Sequence, residues 1–261
     1  MSATWDPKDY ANNSGGQQVW AEELIARLAL DGSEAILDVG CGDGRMTAVL
    51  AGRVPEGRVV GIDSSAEMIE FAAGEFRDRA PQLSFAQIDA GAISFEDEFD
   101  LIYSNAALHH VRDHVPVVAG IARALRSGGR TMLSFGGRGN VAEVSAAVRS
   151  LMDEAGWSAY FAGEVFAYNF FGPEDYAVWL ADAGLEPLRV ELVPKDMVLS
   201  REKFVAWLRT TWMRYTQCVP EERREEFVDA LAARYLEACP VDSAGLVHSK
   251  MVRLEVEARK A

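Results

Sequence analysis

The stretch AILDVGCGDGR, Ala35–Arg45, runs a short apolar segment into glycines at 40, 42 and 44, with acids at 38 and 43 and no lysine. Glycines so spaced let a backbone turn tightly and approach a ligand closely. A helix beginning at Arg45 adds free N–H groups. Three further apolar stretches end in small or polar pairs: Asp63-Ser64, Asp89-Ala90 and Ser104-Asn105. A carboxylate at the end of a second strand suits a ribose, because it accepts from both hydroxyls. These features fit any adenosine cofactor, so charge must discriminate. A GxxxxGK[ST] phosphate loop would supply a lysine, and this loop has none. Read as GxGxxG, Gly40 and Gly42 fit but Arg45 takes the last position. Asp38 and Asp43 would repel a pyrophosphate and favour a ligand with ammonium and sulfonium charges. S-adenosylmethionine carries both and no phosphate.

The candidate cofactor contacts are therefore Asp38, Gly40, Cys41, Gly42 and Gly44 at the first strand end, and Asp63, Ser64 and Met68 at the second. Asp89 and Ala90 follow at the third, and Asn105 at the fourth. Asp38 can orient the loop or meet the ammonium through water. Asp63 suits the ribose and Asp89 the adenine amino group. Met68, just inside the second helix, can pack on the adenine face.

Alternating elements must position these groups. Apolar runs at Ala35–Val39, RVVGID, LSFAQID, FDLIYSN and RTMLSF read as strands, separated by helical stretches near Arg45–Arg53, Ser65–Phe76 and His114–Leu125. SGG, before RTMLSF, reads as a stop. Such alternation predicts a parallel sheet with helices on both faces. Ligands in such sheets sit outside the carboxyl ends of the strands. Further on, the pattern predicts a helix over Pro173–Ala183, a strand LRVELV, helices near Ser200–Tyr215 and Pro220–Cys239, and a final strand at the C-terminal end. The expected organisation is one domain: an N-terminal helical lid over 1–34, a core over 35–193 and 245–261, and a helical cap inserted at 194–244.

With 261 residues and a formal charge of −14, the chain can bury a real core but repels polyanions. Nucleic acid and anionic membrane surfaces are thereby disfavoured as partners. Cys41, Cys218 and Cys239 fit no metal or disulfide spacing and read as thiols of a reducing cytosol. No signal peptide, membrane-length apolar run or metal motif is present in the sequence. A cytoplasmic protein is the expectation.

ILDVGCGDGR, VVGIDSSAEMIE, QIDA and FDLIYSNAALHHV together resemble the successive motifs of class I S-adenosylmethionine-dependent methyltransferases, in family order over about Ala35–Phe135. The resemblance implies a Rossmann-like seven-stranded sheet whose last strand runs antiparallel, with S-adenosylmethionine as donor and S-adenosylhomocysteine as product. TWDPKDY, SNAALHHVRDH and the terminal RLEVEARK resemble the trans-aconitate methyltransferase group, and YANNSGGQ the start of juvenile hormone acid methyltransferases. In the latter a Gln at the position of Gln17 lies at the active site. Both groups methylate carboxylates, so the resemblance implies a small carboxylic acid as acceptor. A carboxylate is ionised at neutral pH and needs no base. N- or C-methylation of another small metabolite is the alternative within the class. A nicotinamide-dependent oxidoreductase or a non-catalytic cofactor-binding protein is the alternative outside it.

His109 and His110 follow the fourth strand, where a base or a hydrogen-bond donor would meet the acceptor. His110 and Gln17 are the candidate catalytic residues, and Gln17 is also a candidate cofactor contact. Phe204, Trp207, Leu208, Thr211, Trp212 and Tyr215 form one helical stripe, which is either core or, through Trp207 and Trp212, pocket wall. An acidic acceptor would want an arginine, and Arg138, Arg209 and Arg214 are the candidates. Titration calorimetry is expected to detect S-adenosylhomocysteine binding and none of NAD; tight NAD binding with none of the nucleoside would overturn the charge argument.

Overall fold

The computed structural model describes residues 15–76, 79–163 and 168–261. Strands β1 (Ala35–Val39), β2 (Arg58–Asp63), β3 (Leu83–Gln87), β4 (Phe99–Asn105), β5 (Leu125–Gly136), β6 (Leu185–Leu199) and β7 (Val247–Lys260) form one sheet in the order β3-β2-β1-β4-β5-β7-β6. The first five pair in parallel, and β7 runs antiparallel to both β5 and β6. This is the expected Rossmann-like sheet with its last strand reversed.

Side chains alternate across a strand, so each central strand feeds two cores. Leu37, Val39, Ile102, Leu133 and Phe135 pack on one face. Helices α1 (Gly15–Ala26), α2 (Arg45–Arg53) and α3 (Ala66–Phe76) cover the opposite face, where Leu24, Ile25, Leu50 and Phe76 meet Ile36, Leu101, Tyr103 and Met132. The first face is covered by α4 (Val115–Ala124) and, after α5 (Ala142–Met152), by α6 (Pro173–Asp182). The N-terminal helix thus packs on the sheet through Leu24, Ile25 and Leu28. The rest of the expected lid, residues 1–14, lies outside the described residues.

A third core joins α5 to α7 (Arg201–Thr211), α8 (Met213–Thr216) and α9 (Arg224–Ala238), against Met197, Val247 and Met251 of β6 and β7. Phe204, Trp207, Trp212 and Tyr215 are all buried in it. The expected single helix over this stripe breaks at Trp212, whose φ of −101° and ψ of 26° separate α7 from α8.

Two expected boundaries move. β6 pairs with β7 as far as Leu199↔Val247, so the cap begins at Ser200, the N-cap of α7, not at 194. Pro194 does not end the strand because β6 is the sheet edge, where a missing N–H breaks no ladder on the open side. The SGG segment lies within β5, not before it: pairing with β4 jumps from Phe99↔Leu125 to Leu101↔Arg130, a bulge with Gly128 at φ 78°. No helix among the described residues is long and apolar enough to cross a membrane.

The sheet edge and the cap are tied by His248 near the start of β7. Its Nδ1 lies 2.6 Å from Asp196 Oδ2 on β6, and its Nε2 3.2 Å from Asp242 Oδ2 in the preceding loop. Hydrogen bonds to these two acids hold its pKa above the ordinary 6.5. The protonated form is therefore favoured by folding, and its stabilisation is lost as pH rises through the raised value. In thermal scans between pH 6 and 9, the wild-type Tm is expected to fall more than that of His248→Gln; parallel falls would remove the contribution.

Candidate active site

The glycine loop is fastened to the second strand by backbone. Gly40 N–H and Cys41 N–H both donate to Ile62 O, at 2.8 and 3.0 Å. Asp63 then clamps both sides of the crevice: its Oδ2 accepts from Gly42 N–H at 3.0 Å and its Oδ1 from Ser65 N–H at 2.9 Å. Each carboxylate oxygen has a second lone pair, so Asp63 can still accept from a diol. Burial pushes its pKa up, against the backbone hydrogen bonds that lower it. Gly40 has φ 75°, and a Cβ there would stand 2.2 Å from Ala107 Cβ, so only glycine lets the loop lie against the end of β4.

A crevice of about 750 Å³ opens at these strand ends. Gly40, Gly42, Asp63, Ser64, Met68, Asp89 and Ala90 of the expected contacts line it. Ser65 Oγ accepts from Met68 N–H at 3.2 Å, capping α3 and fixing Met68 at the wall. Asp89 caps the turn Ala90–Ala92 by accepting from Gly91 N–H at 2.8 Å. Asp38, Cys41, Gly44 and Asn105 are not among the lining residues. Asp38 is 2% exposed and accepts from Thr47 Oγ at 2.7 Å, which ties the strand to α2; burial pushes its pKa up to about 7. It is the loop-orienting role, not contact, that its position supports. Gly44 packs on α3 and β3, where a Cβ would lie 2.6 Å from Ala72 Cβ and 2.9 Å from the Phe85 ring. The Cys41 thiol is buried and its pKa pushed up by that burial. Asn105 turns its Oδ1 to Arg253 Nη2, at 2.7 Å.

The far end of the crevice is made by the turn Leu108–His110, which follows β4. His114 supports it: Nε2 lies 2.8 Å from Leu108 O and Nδ1 2.7 Å from Tyr176 OH, so both nitrogens are engaged. His110 lines the crevice together with Arg214, whose Nη2 donates to His110 O at 3.0 Å. Burial, with Arg214 beside it, pushes the His110 pKa down to about 3. His109 accepts from Gly136 N–H through Nδ1 at 3.3 Å. Burial and then the charges around it hold it well below the usual imidazole range, so its proton sits on Nε2.

Behind His110 lies a second chamber of about 40 Å³, sharing Ala106 and His110 with the crevice. Trp207 and Trp212 line it, which makes part of the aromatic stripe wall as well as core. Tyr168, Phe170, Asn140 and Arg253 complete it. Arg138 is elsewhere: it pairs on the surface with Glu174 and Asp175 and is half exposed, so it does not serve the site. Arg209 lines neither space. The backbone of Gln17 belongs to α1, but its side chain lies outside the described ones. The residue that sequence reasoning missed is Arg253. An arginine flanked by Met251, Val252, Leu254 and Val256 in the last apolar run was its signal.

The lining fits a phosphate-free nucleoside with positive charge. Around the loop the ionisable groups are Asp63, Glu67 and Asp89, with no lysine. Gly42 meets the crevice bare, a Cβ there touching no protein atom within 4 Å. Asp63 and Asp89 can hold polar edges of such a nucleoside, and Met68 its ring face.

Comparison with known proteins points the same way. The model of the Methyltransferase domain family matches residues 36–129. The chain is 32% identical over 249 residues to a trans-aconitate 2-methyltransferase of Azoarcus sp., covering 93% of each. It is 31% identical over 264 residues to the enzyme of that name in Methylobacterium radiotolerans, covering 99% of each. Its fold is similar to that of geranyl diphosphate C-methyltransferase from Streptomyces coelicolor, solved with Mg2+, geranyl diphosphate and S-adenosylhomocysteine: TM-score 0.56, 17% identity, 94% of this chain and 79% of that one.

Asp63→Asn keeps the shape but turns an amide N–H₂ toward one of two backbone donors. It is expected to weaken S-adenosylhomocysteine binding by about 10- to 100-fold in calorimetry, the scale of a lost charged hydrogen bond. Unchanged affinity would remove the clamp from the binding account.

Proposed function

Because the chain belongs to the class I S-adenosylmethionine-dependent methyltransferases, we propose that its acceptor is a small organic acid, methylated on a carboxylate oxygen to give a methyl ester. The observation that carries this reading is that, among the described residues, neither imidazole beside the crevice is set up as a general base. The imidazole facing the crevice, His110, has its pKa pushed down to about 3, and His109 is held neutral behind it. A general base works best with a pKa near the operating pH. An ammonium or a carbon acid would need one; a carboxylate, ionised above ~4–5, does not.

Arg112, Asp113 and Arg214 line the crevice beyond β4 and Arg253 lines the chamber, acid-free among the described residues, while Asp63, Glu67 and Asp89 stand at the other strand ends. An anionic acceptor is thus drawn to the end opposite the loop. When bound, S-adenosylmethionine supplies a methyl group on a sulfonium, which a carboxylate oxygen takes by in-line displacement. The protein's own part is positioning. Asp63, Asp89 and Met68 hold the nucleoside, Arg214 orients the acid, and His110, clasped by the Tyr168 ring at 5.2 Å, forms a rigid neutral wall. Holding two reactants in line replaces a bimolecular encounter, the main lever for a reaction without proton transfer. The names of the trans-aconitate relatives support the same acceptor class.

The test is a panel of carboxylic acids, amines and phenols with methyl-labelled donor. Label is expected in base-labile esters, with kcat/KM flat from about pH 8 to 9, above the raised pKa of Asp38, because the acceptor has no proton to lose there. His110→Ala is expected to lower kcat/KM by about 10-fold without bending that profile. Label confined to amines or phenols would overturn the proposal.

A further inference from the structure

We propose that the chamber behind His110 is an anion subsite in which the indole N–H of Trp207, beside Arg253, donates to a carboxylate of the acceptor. This rests on the carboxylate reading above and deepens it by assigning the residues that select the acid.

Trp207 is 4% exposed, and its Nε1 is buried with no hydrogen-bond partner among the described residues. An indole N–H is a donor only, and burying it unsatisfied costs about 1–3 kcal/mol. A packed core would replace it with Phe or Leu, so the cost asks for a ligand acceptor at that place. The residue lines the chamber, and the space is about 40 Å³, enough for a group of a few heavy atoms such as a carboxylate head.

The polar wall around it is biased toward donors. Arg253, 3% exposed, is locked by its own partners: Nη2 donates to Asn105 Oδ1 at 2.7 Å and to Ser134 O at 2.5 Å, and Nε to Ser134 Oγ at 3.2 Å. Its charge is therefore fixed at the wall and cannot swing away. His109 uses Nδ1 to accept from Gly136, which leaves its proton on Nε2. Asn140 Oδ1 accepts from Val252 N–H at 2.9 Å, so the amide N–H₂ is the donor end of that side chain. No Asp or Glu lines the chamber among the described residues. In a chain of charge −14 this is a local inversion of sign. A cationic group there would leave the donors unanswered and a neutral carbonyl would answer fewer of them, whereas a carboxylate accepts from several at once and balances the charge. The Tyr168, Phe170 and Trp212 rings around it suit a flat, unsaturated carbon next to that head.

The experiment uses the full chain, labelled with 15N and saturated with S-adenosylhomocysteine. The Trp207 indole resonance, assigned by its loss in Trp207→Phe, is followed while trans-aconitate or fumarate is added, with trimethyl trans-aconitate as the neutral control. A saturable downfield movement with either acid and none with the ester is expected. In turnover assays Trp207→Phe, which keeps a ring but no N–H, is expected to raise the KM of an accepted acid about 10-fold with kcat within about threefold. An indole resonance that stays still with both acids, or moves equally with the ester, overturns the subsite, and because it is read on the wild-type protein it does not depend on the variant folding. Ester formation with an unmoved indole would overturn this assignment and leave the carboxylate reading intact. An indole moved by the acids, with label only in amines, would do the reverse.

Discussion

One carboxylate holds the crevice open in its working shape. Asp63 accepts from the glycine loop with one oxygen and from the start of α3 with the other. The loop, the second strand and the following helix therefore cannot move independently. Everything that lines the nucleoside end, from Gly40 to Met68, hangs on that clamp and on the two N–H groups that converge on Ile62 O. The acid is only half buried, so it can hold backbone and still offer lone pairs to a ligand. The price of keeping a carboxylate there is its raised pKa, offset by the backbone donors around it.

The crevice is polarised along its length. Asp63, Glu67 and Asp89 lie toward the loop, Arg112, Asp113 and Arg214 line the crevice beyond β4, and Arg253 lines the chamber, which shares the neutral His110 with the crevice. A positively charged donor and a negatively charged acceptor would be drawn to opposite ends and meet in the middle. The neutrality of His109 and His110 follows from burial first and then from the neighbouring arginines. Protonating either would place another cation in an already cationic wall.

The cap makes one wall of the chamber. Its helices are held by an aromatic core in which Phe204 meets Tyr235 at 4.8 Å and Trp212 meets Tyr168 at 5.5 Å. Trp207 and Trp212 thus belong to that core and to the chamber wall at once. The break in the helix at Trp212 directs the chain so that Arg214 reaches the carbonyl of His110.

Local chemistry let the sequence determine the sheet, its order of strands and helices, and the nucleoside end of the site. Glycines, acids and strand ends lie within a few residues of one another there, and parallel pairing brings successive strand ends together whatever the rest of the fold does. Even so, the sequence could not separate Asp38, which holds α2 through Thr47, from Asp63, which faces the crevice; burial, not residue type, sorts them. The edge position of β6, which lets Pro194 stay in a strand, was likewise a property of the whole sheet. The chamber was decided only by tertiary structure. It gathers His110 from after β4, Tyr168 from a loop, Trp207 from the cap and Arg253 from the reversed last strand. Residues so far apart in the chain share no spacing to read. The exposed Arg138, which the sequence offered for the same role, spends its charge on neighbouring surface acids.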